Sequence, residues 1–286
     1  MRLYELTQPV YKVKLTEGGA MPGVGAIHID EINPTLIPLE KELGIDLRNN
    51  TLGSVGKREF SGDIDVALNI EADKIPEFVE RLKKSSQVLD IAKSSVIMTK
   101  VKIADFDESK EDGRPRTGFV QVDFMPGDPE WLKTYYHSPN EKDSQYKGVY
   151  RNLMIASIAG QYKVVNSAET IEDGRPEASE RFMFSPRDGL VRIRRTPVPK
   201  KTGEGFTKKN SNKIIGGPWK SANDIATNLG LDNGEDLYSY ETLVNVIKKN
   251  MSEREQSEIF SAFVTNPTIQ SMGIPPDIQE YSKGEL

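Results

Sequence analysis

The sequence predicts an α+β fold, and three observations support that class. Two segments rich in β-branched and aromatic residues, 94–106 and 117–125, flank a polar, turn-prone stretch, which is typical of a β-hairpin with a long tip. Several other segments carry apolar residues at helical spacing behind residues that commonly cap helices. Such helical segments follow one another from Ser221 onward, so we expect a sheet with helices and then a helical C-terminal region.

Length and composition restrict the class of protein further. A chain of 286 residues, of which 36% are hydrophobic and 28% are charged, can bury a sizeable core and is typical of soluble globular proteins. The formal net charge of −5 argues against strong nonspecific binding of nucleic acid. The absence of cysteine excludes disulfides and thiolate sites. No stretch approaches the ~20 apolar residues of a membrane span, so we expect a cytoplasmic protein without a membrane partner.

Elements of the N-terminal half follow from caps and periodicity. A strand is expected over residues 10–15. Asn33 and Pro34 are typical of an N-cap and a first helical residue, and the helix is expected to end at Gly44. Its apolar positions are Leu36, Leu39 and Leu43. Asp73 is the expected cap of a second helix, whose apolar stripe comprises Ile75, Phe78, Val79 and Leu82.

Later elements are predicted from the same signals. Asp128 followed by Pro129 predicts a helix over 130–136, and apolar spacing predicts another over 145–159. Residues 180–195 predict a second hairpin with the turn "PRDG". The expected N-caps of the C-terminal helices are Ser221, Ser239 and Ser252.

Charge divides the C-terminal half into two regions. Residues 187–213 contain nine basic and two acidic residues, whereas residues 221–286 contain eleven acidic and four basic residues. We therefore expect one domain over 1–165 and a C-terminal region over 166–286, with a basic hairpin or loop followed by helices. The basic segment is interpreted either as a surface for RNA or another nucleic acid, or as a charged flexible loop.

Two aspartates share one face of a predicted strand. In "DIDVALNI" the side chains alternate, so Asp63 and Asp65 point to one side while Ile64 and Val66 point to the other. Two ionised carboxylates at this separation repel each other, and a bound divalent cation such as Mg²⁺ would compensate them. The alternative is an edge strand whose acids are exposed to solvent.

A third carboxylate from a neighbouring strand would complete a site for two cations. Asp123 lies between Val122 and Phe124 in a strand-like segment, where an aspartate is unusual. Three aspartates on adjacent strands could hold two ions, one activating an attacking hydroxyl and one stabilising the leaving phosphate oxygens. For Asp123 alone, a surface acid or a salt-bridge partner is the alternative.

The stretch before the aspartates suits phosphate binding. Gly53 allows close approach of the backbone, and the Ser54 hydroxyl with neighbouring N–H groups can bind phosphate oxygens. Lys57 or Arg58 can neutralise phosphate charge. Ordinary loop charges are the alternative for these two basic residues.

Together, Gly53 and Ser54, the eight intervening residues, the "DIDV" stretch at 63–66 and the later Asp123 resemble the signature of the DNA polymerase beta-like nucleotidyltransferase superfamily. The resemblance covers roughly residues 36–158 and is greatest to small members, several of them phage-encoded. It implies a palm-like mixed sheet with helices packed on one face. It also implies an enzyme that transfers a nucleoside monophosphate from a nucleoside triphosphate, such as ATP, to an acceptor hydroxyl and releases pyrophosphate.

Residue by residue, the resemblance implies that Gly53 and Ser54 bind the nucleotide phosphates. It implies that Asp63 and Asp65 bind two Mg²⁺ or Mn²⁺ ions, with Asp123 as the third ligand and candidate base. Members often place a basic and an aromatic residue on a later helix near the triphosphate. The positions of this kind here are Lys147, Tyr150 and Arg151, and a solvated helix face is the alternative for the two basic ones.

The sequence says less about which molecule accepts the transferred nucleotide. The basic segment 187–213 slightly favours a nucleic acid 3′ end, while a small molecule or a protein side chain stays open. A catalytically silent nucleotide-binding or structural module with the same fold is the alternative function. Structural roles are favoured for His28 and His137, which have no partners at ligand spacing.

Overall fold

The computed structural model describes residues 21–94, 96–111, 113–161, 163–165, 179–200 and 206–283. The strand predicted over residues 10–15 lies outside these ranges. The chain divides into two compact units. The first comprises the described residues up to Thr51 together with Arg58–Pro126, and the second comprises Leu52–Lys57 and the described residues from Gly127 onward.

The first unit combines a small and a larger sheet with helices. Its helices are α1 (Ile29–Leu43) and α2 (Ile75–Lys84), with 3₁₀ turns at Arg48–Asn50 and Ala72–Lys74. Its strands are β1 (Ile27–His28), β2 (Phe60–Ser61), β3 (Asp63–Leu68), β4 (Val88–Lys93), β5 (Ile97–Lys102) and β6 (Phe119–Pro126). Strands β1 and β2 form an antiparallel pair, and the other four form a mixed sheet in the order β3, β6, β5, β4. The α+β class and the predicted β5–β6 hairpin are confirmed.

Strand β3 runs parallel to β6, whereas the other neighbours in the mixed sheet are antiparallel. One face of this sheet is a buried apolar surface that includes Ile64 and Val122. On the same face, Phe78 of α2 packs edge-to-face on Phe124 of β6, with ring centroids 5.2 Å apart. Helix α2 therefore covers the face opposite to the one on which Asp63 and the other odd-numbered residues of β3 lie.

Helix α1 begins earlier than the sequence predicted. His28, not Asn33, is the N-cap, and its ring forms a capping box with Glu31, whose carboxylate accepts a hydrogen bond from the His28 N–H at 3.0 Å. Pro34 and Pro38 lie inside the helix. The prediction was wrong because the capping box fixes the helix start upstream of Pro34. The structural role favoured for His28 is confirmed.

Helix α2 also begins differently. Asp73 lies in a 3₁₀ turn that closes with a hydrogen bond from Lys74 N to Glu71 O (2.9 Å), and α2 follows directly without a side-chain cap. The predicted cap at Asp73 was therefore wrong, since this turn occupies the position at which a cap would stand. The edge strand β4 was not predicted at all.

The second unit combines an antiparallel sheet with a group of helices. The α-helices are α3 (Pro129–Tyr135), α4 (Gly148–Gln161), α5 (Ala222–Asn228), α6 (Tyr240–Asn250), α7 (Glu253–Val264) and α8 (Pro267–Met272), with 3₁₀ segments at Gly234–Leu237 and Pro276–Lys283. The strands are β7 (Lys163–Val165), β8 (Ser179–Ser185), β9 (Gly189–Pro199) and β10 (Phe206–Trp219), in the order β10, β9, β8, β7. Side-chain hydrogen bonds confirm the predicted N-caps Asp128, Ser221, Ser239 and Ser252.

The compact units divide after Pro126 rather than at residue 165, where the sequence placed the domain boundary. Helices α3 and α4 share one apolar core with the later helices, and this packing explains the difference. Buried members of that core are Trp131, Tyr150, Met154, Ile158, Leu243, Phe260 and Phe263. An apolar residue at the end of β8, Phe184, packs against the same core.

Candidate functional site

Strand register brings the three predicted aspartates together. In the parallel pair of β3 and β6, Asp65 lies opposite Asp123, and Asp63 lies opposite Gln121. Opposed residues of neighbouring strands project from the same face, so all four side chains share one side of the sheet. The apolar residues between them fill the other face and thereby fix this orientation.

The carboxylates form a compact cluster. Each of Asp63, Asp65 and Asp123 offers an oxygen, and these three oxygens lie within 4.8 Å of one another. All three residues are half-buried. Burial, together with the charges of Asp63 and Asp123, raises the pKa of Asp65 to about 8. Three partly buried carboxylates at this separation are unfavourable unless protons or cations compensate their charge.

Gln121 positions the Asp123 carboxylate. The Gln121 side-chain amide donates to both Asp123 oxygens, at 2.9 and 3.0 Å, while its carbonyl accepts from Met21 N at 2.9 Å. Gln121 is 3% exposed, so these hydrogen bonds lie away from solvent. Burial raises the pKa of Asp123 to about 6, although the Gln121 hydrogen bonds oppose that rise.

The donor set fits a hard divalent cation. Mg²⁺ and Mn²⁺ prefer carboxylate oxygens, and they commonly take only a few ligands from the protein and complete their coordination with water and phosphate. Asp63, Asp65 and Asp123 supply oxygen ligands alone, with no histidine nitrogen in the cluster. The geometry is therefore suited to holding a metal ion.

The predicted phosphate-binding stretch forms two successive turns. Val55 N donates to Leu52 O at 3.4 Å, and Lys57 N donates to Ser54 O at 3.0 Å. Gly53 has φ 65°, in the left-handed region that favours glycine. Gly53 and Ser54 belong to the second compact unit, whereas the aspartates belong to the first. Their phosphate-binding role stays a prediction.

The four predicted basic residues lie in different environments. Lys57 is half-buried and donates from Nζ to Ser138 O at 2.8 Å, and Arg58 is half-buried in the first unit. Lys147 is exposed just before α4. Arg151 is 3% exposed, so the alternative of a solvated helix face is wrong for this residue. Nucleotide binding by these four side chains remains a prediction.

Arg151 contacts backbone carbonyl oxygens. Its Nε donates to Leu237 O, and its Nη1 donates to Thr134 O at 3.3 Å and Tyr135 O at 3.2 Å. The guanidinium thus joins α4 to the end of α3 and to the 3₁₀ segment before α6. Burial lowers the pKa of Arg151 to about 10, which still leaves it charged at neutral pH.

The glycine at the start of α4 allows this helix to pack closely against the chain at His137. A Cβ atom on Gly148 would lie 2.2 Å from His137 O, so only glycine allows α4 to approach the chain there. Gly148 N also donates to Ser138 Oγ at 3.0 Å. The sequence pointed to the basic and aromatic residues around Gly148 but not to the glycine itself. Its hydrogen-bond partner, Ser138, lies ten residues away in the chain, so no local pattern indicates the contact.

The basic segment is an extended ribbon in its described part. Strand β9 pairs with β10 from Leu190 opposite Trp219 to Pro199 opposite Phe206, so the interpretation as a flexible loop was wrong for these residues. Backbone pairing of the two strands, which is interrupted by register shifts near both ends, explains the difference. The buried Glu180 carboxylate of β8 accepts hydrogen bonds from Arg192 and Arg194, which neutralises part of the positive charge.

Comparisons with known proteins give no family assignment: no protein-family model and no curated protein matches the chain. None of the described helices is both long and apolar enough to cross a membrane.

Proposed function

We propose that the protein is a metal-dependent nucleotidyltransferase, which transfers a nucleoside monophosphate from a nucleoside triphosphate to an acceptor hydroxyl and releases pyrophosphate. The observation that supports this proposal is the cluster of Asp63, Asp65 and Asp123 on two neighbouring parallel strands, with oxygens within 4.8 Å. The stretch from Gly53 to Asp65, whose sequence resembles the superfamily signature, adds to this support.

Asp63, Asp65 and Asp123 would hold Mg²⁺ or Mn²⁺. When bound, such ions would supply positive charge that stabilises the transferring phosphate and lowers the pKa of the attacking hydroxyl. In the reaction, the acceptor oxygen forms a bond to the α-phosphorus, and the bond to the β-phosphate bridging oxygen breaks. A carboxylate oxygen of Asp123 would accept the hydroxyl proton, the role of base that the resemblance implies for this residue.

Gln121 fixes the orientation of the Asp123 carboxylate. Because both oxygens of Asp123 accept from the Gln121 amide, the carboxylate plane is fixed before any ligand binds. Such fixed orientation lowers the entropy that must be lost on the way to the transition state. Gln121 is thus a positioning residue of the proposed centre.

A nucleic acid 3′ end remains the slightly favoured acceptor. Exposed basic residues lie in the described part of the basic segment 187–213, such as Arg187 in the turn between β8 and β9 and Lys213 in β10. Two other arginines of the ribbon already have a carboxylate partner, so fewer charges are available for phosphates than the sequence indicates. A small molecule or a protein side chain remains an alternative acceptor.

The proposal is tested by pyrophosphate release. The full chain is incubated with each nucleoside triphosphate, a cellular extract and Mg²⁺, and Asp63→Asn is compared with Asp90→Asn. Asp90 is an exposed acid of β4 in the same sheet and serves as the matched control. We expect the wild type and Asp90→Asn to release pyrophosphate. In Asp63→Asn the rate of pyrophosphate release should fall at least ~100-fold. Thermal stabilisation by triphosphates without any pyrophosphate would instead favour the silent binding module.

A further inference from the structure

A cavity of about 860 Å³ lies within the second unit. Its walls include Arg151, His137 and Tyr238, together with apolar surface from Ala222 and Leu237. Pockets that bind small molecules typically measure about 300–1,000 Å³ and combine apolar walls with a few polar groups. The size and the mixed lining of this cavity fall within the range typical of pockets that bind small molecules.

Arg151 presents an uncompensated charge to this cavity. Its hydrogen-bond acceptors are three backbone carbonyls and the Asn152 side-chain oxygen (2.8 Å), all of them neutral. Within the described ranges, Nη2 has no hydrogen-bond partner and no carboxylate contacts the guanidinium. A buried cation without a counter-ion is costly, which indicates that an anion completes the site.

A neutral histidine and a lysine lie near Arg151. His137 Nε2 is buried without a hydrogen-bond partner, and the His137 ring lies 5.1 Å from the Tyr238 ring. Burial and the nearby charges of Arg151 and Lys57 lower the pKa of His137 to about 4. Among the described residues, Lys57 Nζ donates to the neutral Ser138 carbonyl and to no carboxylate, and burial and the Arg151 charge lower its pKa as well.

Acidic residues at the cavity do not balance these charges. Glu130 is paired with Lys133, at 3.2 Å, and Glu235 is exposed to solvent. In the described part of the chain, neither contacts Arg151 or His137. The positive charge is thus concentrated at the buried wall of the cavity, while the acids are paired or solvated.

We propose that this cavity binds the phosphate group of a small phosphorylated molecule, with Arg151 and His137 as its direct contacts and Lys57 adding positive charge. The charges of Arg151 and Lys57 match a phosphate monoester dianion better than a carboxylate, and the neutral His137 ring offers a nitrogen for hydrogen bonding. The apolar and aromatic walls leave space for an organic group beyond the phosphate. The site consists of second-unit residues and needs no metal ion.

Histidine NMR tests the site directly in the wild-type chain. The sequence contains two histidines, so the imidazole spectrum has one signal for His137 and one for His28, which caps α1 in the first unit and serves as an internal control. With EDTA present, inorganic phosphate and phenyl phosphate should shift the His137 signal and leave the His28 signal unchanged. Equal shifts of both signals, or none at up to tens of millimolar ligand, would overturn the proposal.

Variants and a matched ligand series sharpen the test. By calorimetry in EDTA, we expect Lys57→Gln and His137→Phe to weaken phenyl phosphate binding about tenfold or more, because each removes a positive or hydrogen-bonding group near the phosphate. Lys249→Gln, an exposed lysine of α6, should bind as the wild type does. Phenol should not bind. Tighter binding of phenyl phosphate than inorganic phosphate identifies a phosphorylated molecule as the ligand, whereas equal binding of phenol contradicts the site.

The two proposals fail separately. Asp63→Asn should retain phosphate binding in EDTA even when its pyrophosphate release is lost. If the wild type and Asp63→Asn both bind phosphate but neither releases pyrophosphate, only the nucleotidyltransferase proposal fails. If pyrophosphate is released and no phosphate binds without metal, only the cavity proposal fails.

Discussion

At the scale of single residues, the aspartate cluster is a site whose charge the protein alone does not balance. Asp65 has its pKa raised to about 8, and Asp123 has its pKa raised to about 6. Near neutral pH the folded protein therefore holds a proton or a cation at Asp65, whereas Asp123 is mostly ionised. Proton binding and metal binding compete for the same oxygens.

This competition predicts how stability depends on pH. Between the ordinary pKa of an aspartate and about 8, folded Asp65 keeps a proton that the unfolded chain releases. The free energy of unfolding contributed by Asp65 therefore falls as pH rises through this range. Thermal unfolding in EDTA at pH 5 and pH 8.5 should show this fall for the wild type and a smaller one for Asp65→Asn. The same pH dependence in both chains would contradict the raised pKa.

Gln121→Met should weaken metal binding by about 10- to 100-fold, as is typical when a residue that orients a metal ligand is lost. The substitution keeps the volume of the side chain but removes both hydrogen bonds to Asp123. Binding of Mn²⁺ can be measured by electron paramagnetic resonance.

Thr99→Val is the matched control for that experiment. Thr99 is buried in β5 on the opposite face of the same sheet, where its hydroxyl donates to Val122 O. This variant loses a buried hydrogen bond but should bind Mn²⁺ as the wild type does. Equal affinities of Gln121→Met and the wild type would show that Gln121 does not orient the cluster.

Contacts set by local chain geometry could be predicted from the sequence, whereas contacts between distant segments could not. The meeting of Asp65 and Asp123 could be predicted because alternation along a strand fixes the face, and adjacent strands need only the right register. The amide of Gln121 lies on that same face, but its hydrogen bonds depend on a rotamer and on Met21, one hundred residues away. The burial of Arg151 depends on three separate segments, which no local pattern reveals.

At the scale of elements, the first turn of α4 shows how one glycine determines packing. Gly148→Ala should destabilise the protein by about 1–3 kcal/mol, because the new Cβ would overlap the carbonyl of His137. Gly160→Ala, in the same helix, meets no atom within 4 Å and should stabilise it by about 0.5–1 kcal/mol. Urea unfolding measures both, and equal effects would mean that the close approach of α4 does not limit stability.

Elements with strong local signals were predicted well, and the others were not. The caps at Ser239 and Ser252 were correct because a hydroxyl three residues before a free N–H is a local interaction. The start of α1 was missed because a histidine cap is uncommon and Pro34 gave a stronger, misleading signal. Strand β10 was missed because its glycines and lysines are unusual in strands, and pairing with β9 outweighs that preference.

At the scale of the whole molecule, the sequence predicted two regions but not where they divide. Shared burial of α3 and α4 with the later helices determines the division after Pro126, and such burial is a long-range property of the fold. The charge asymmetry was visible in the sequence, but the pairing of arginines with Glu180 was not. Charge counts alone therefore overstate the basic character of the ribbon.

The position of the label in the triphosphate distinguishes metal-dependent nucleotidyl transfer from other phosphate transfers. The chain is incubated with Mg²⁺, a cellular extract and triphosphate labelled at either the α- or the γ-phosphorus, with Asp63→Asn and Asp90→Asn in parallel. For nucleotidyl transfer we expect the α label to enter an acceptor and the γ label to leave in pyrophosphate, with both processes lost in Asp63→Asn only. Entry of the γ label into an acceptor, or transfer that survives in Asp63→Asn, would contradict this expectation.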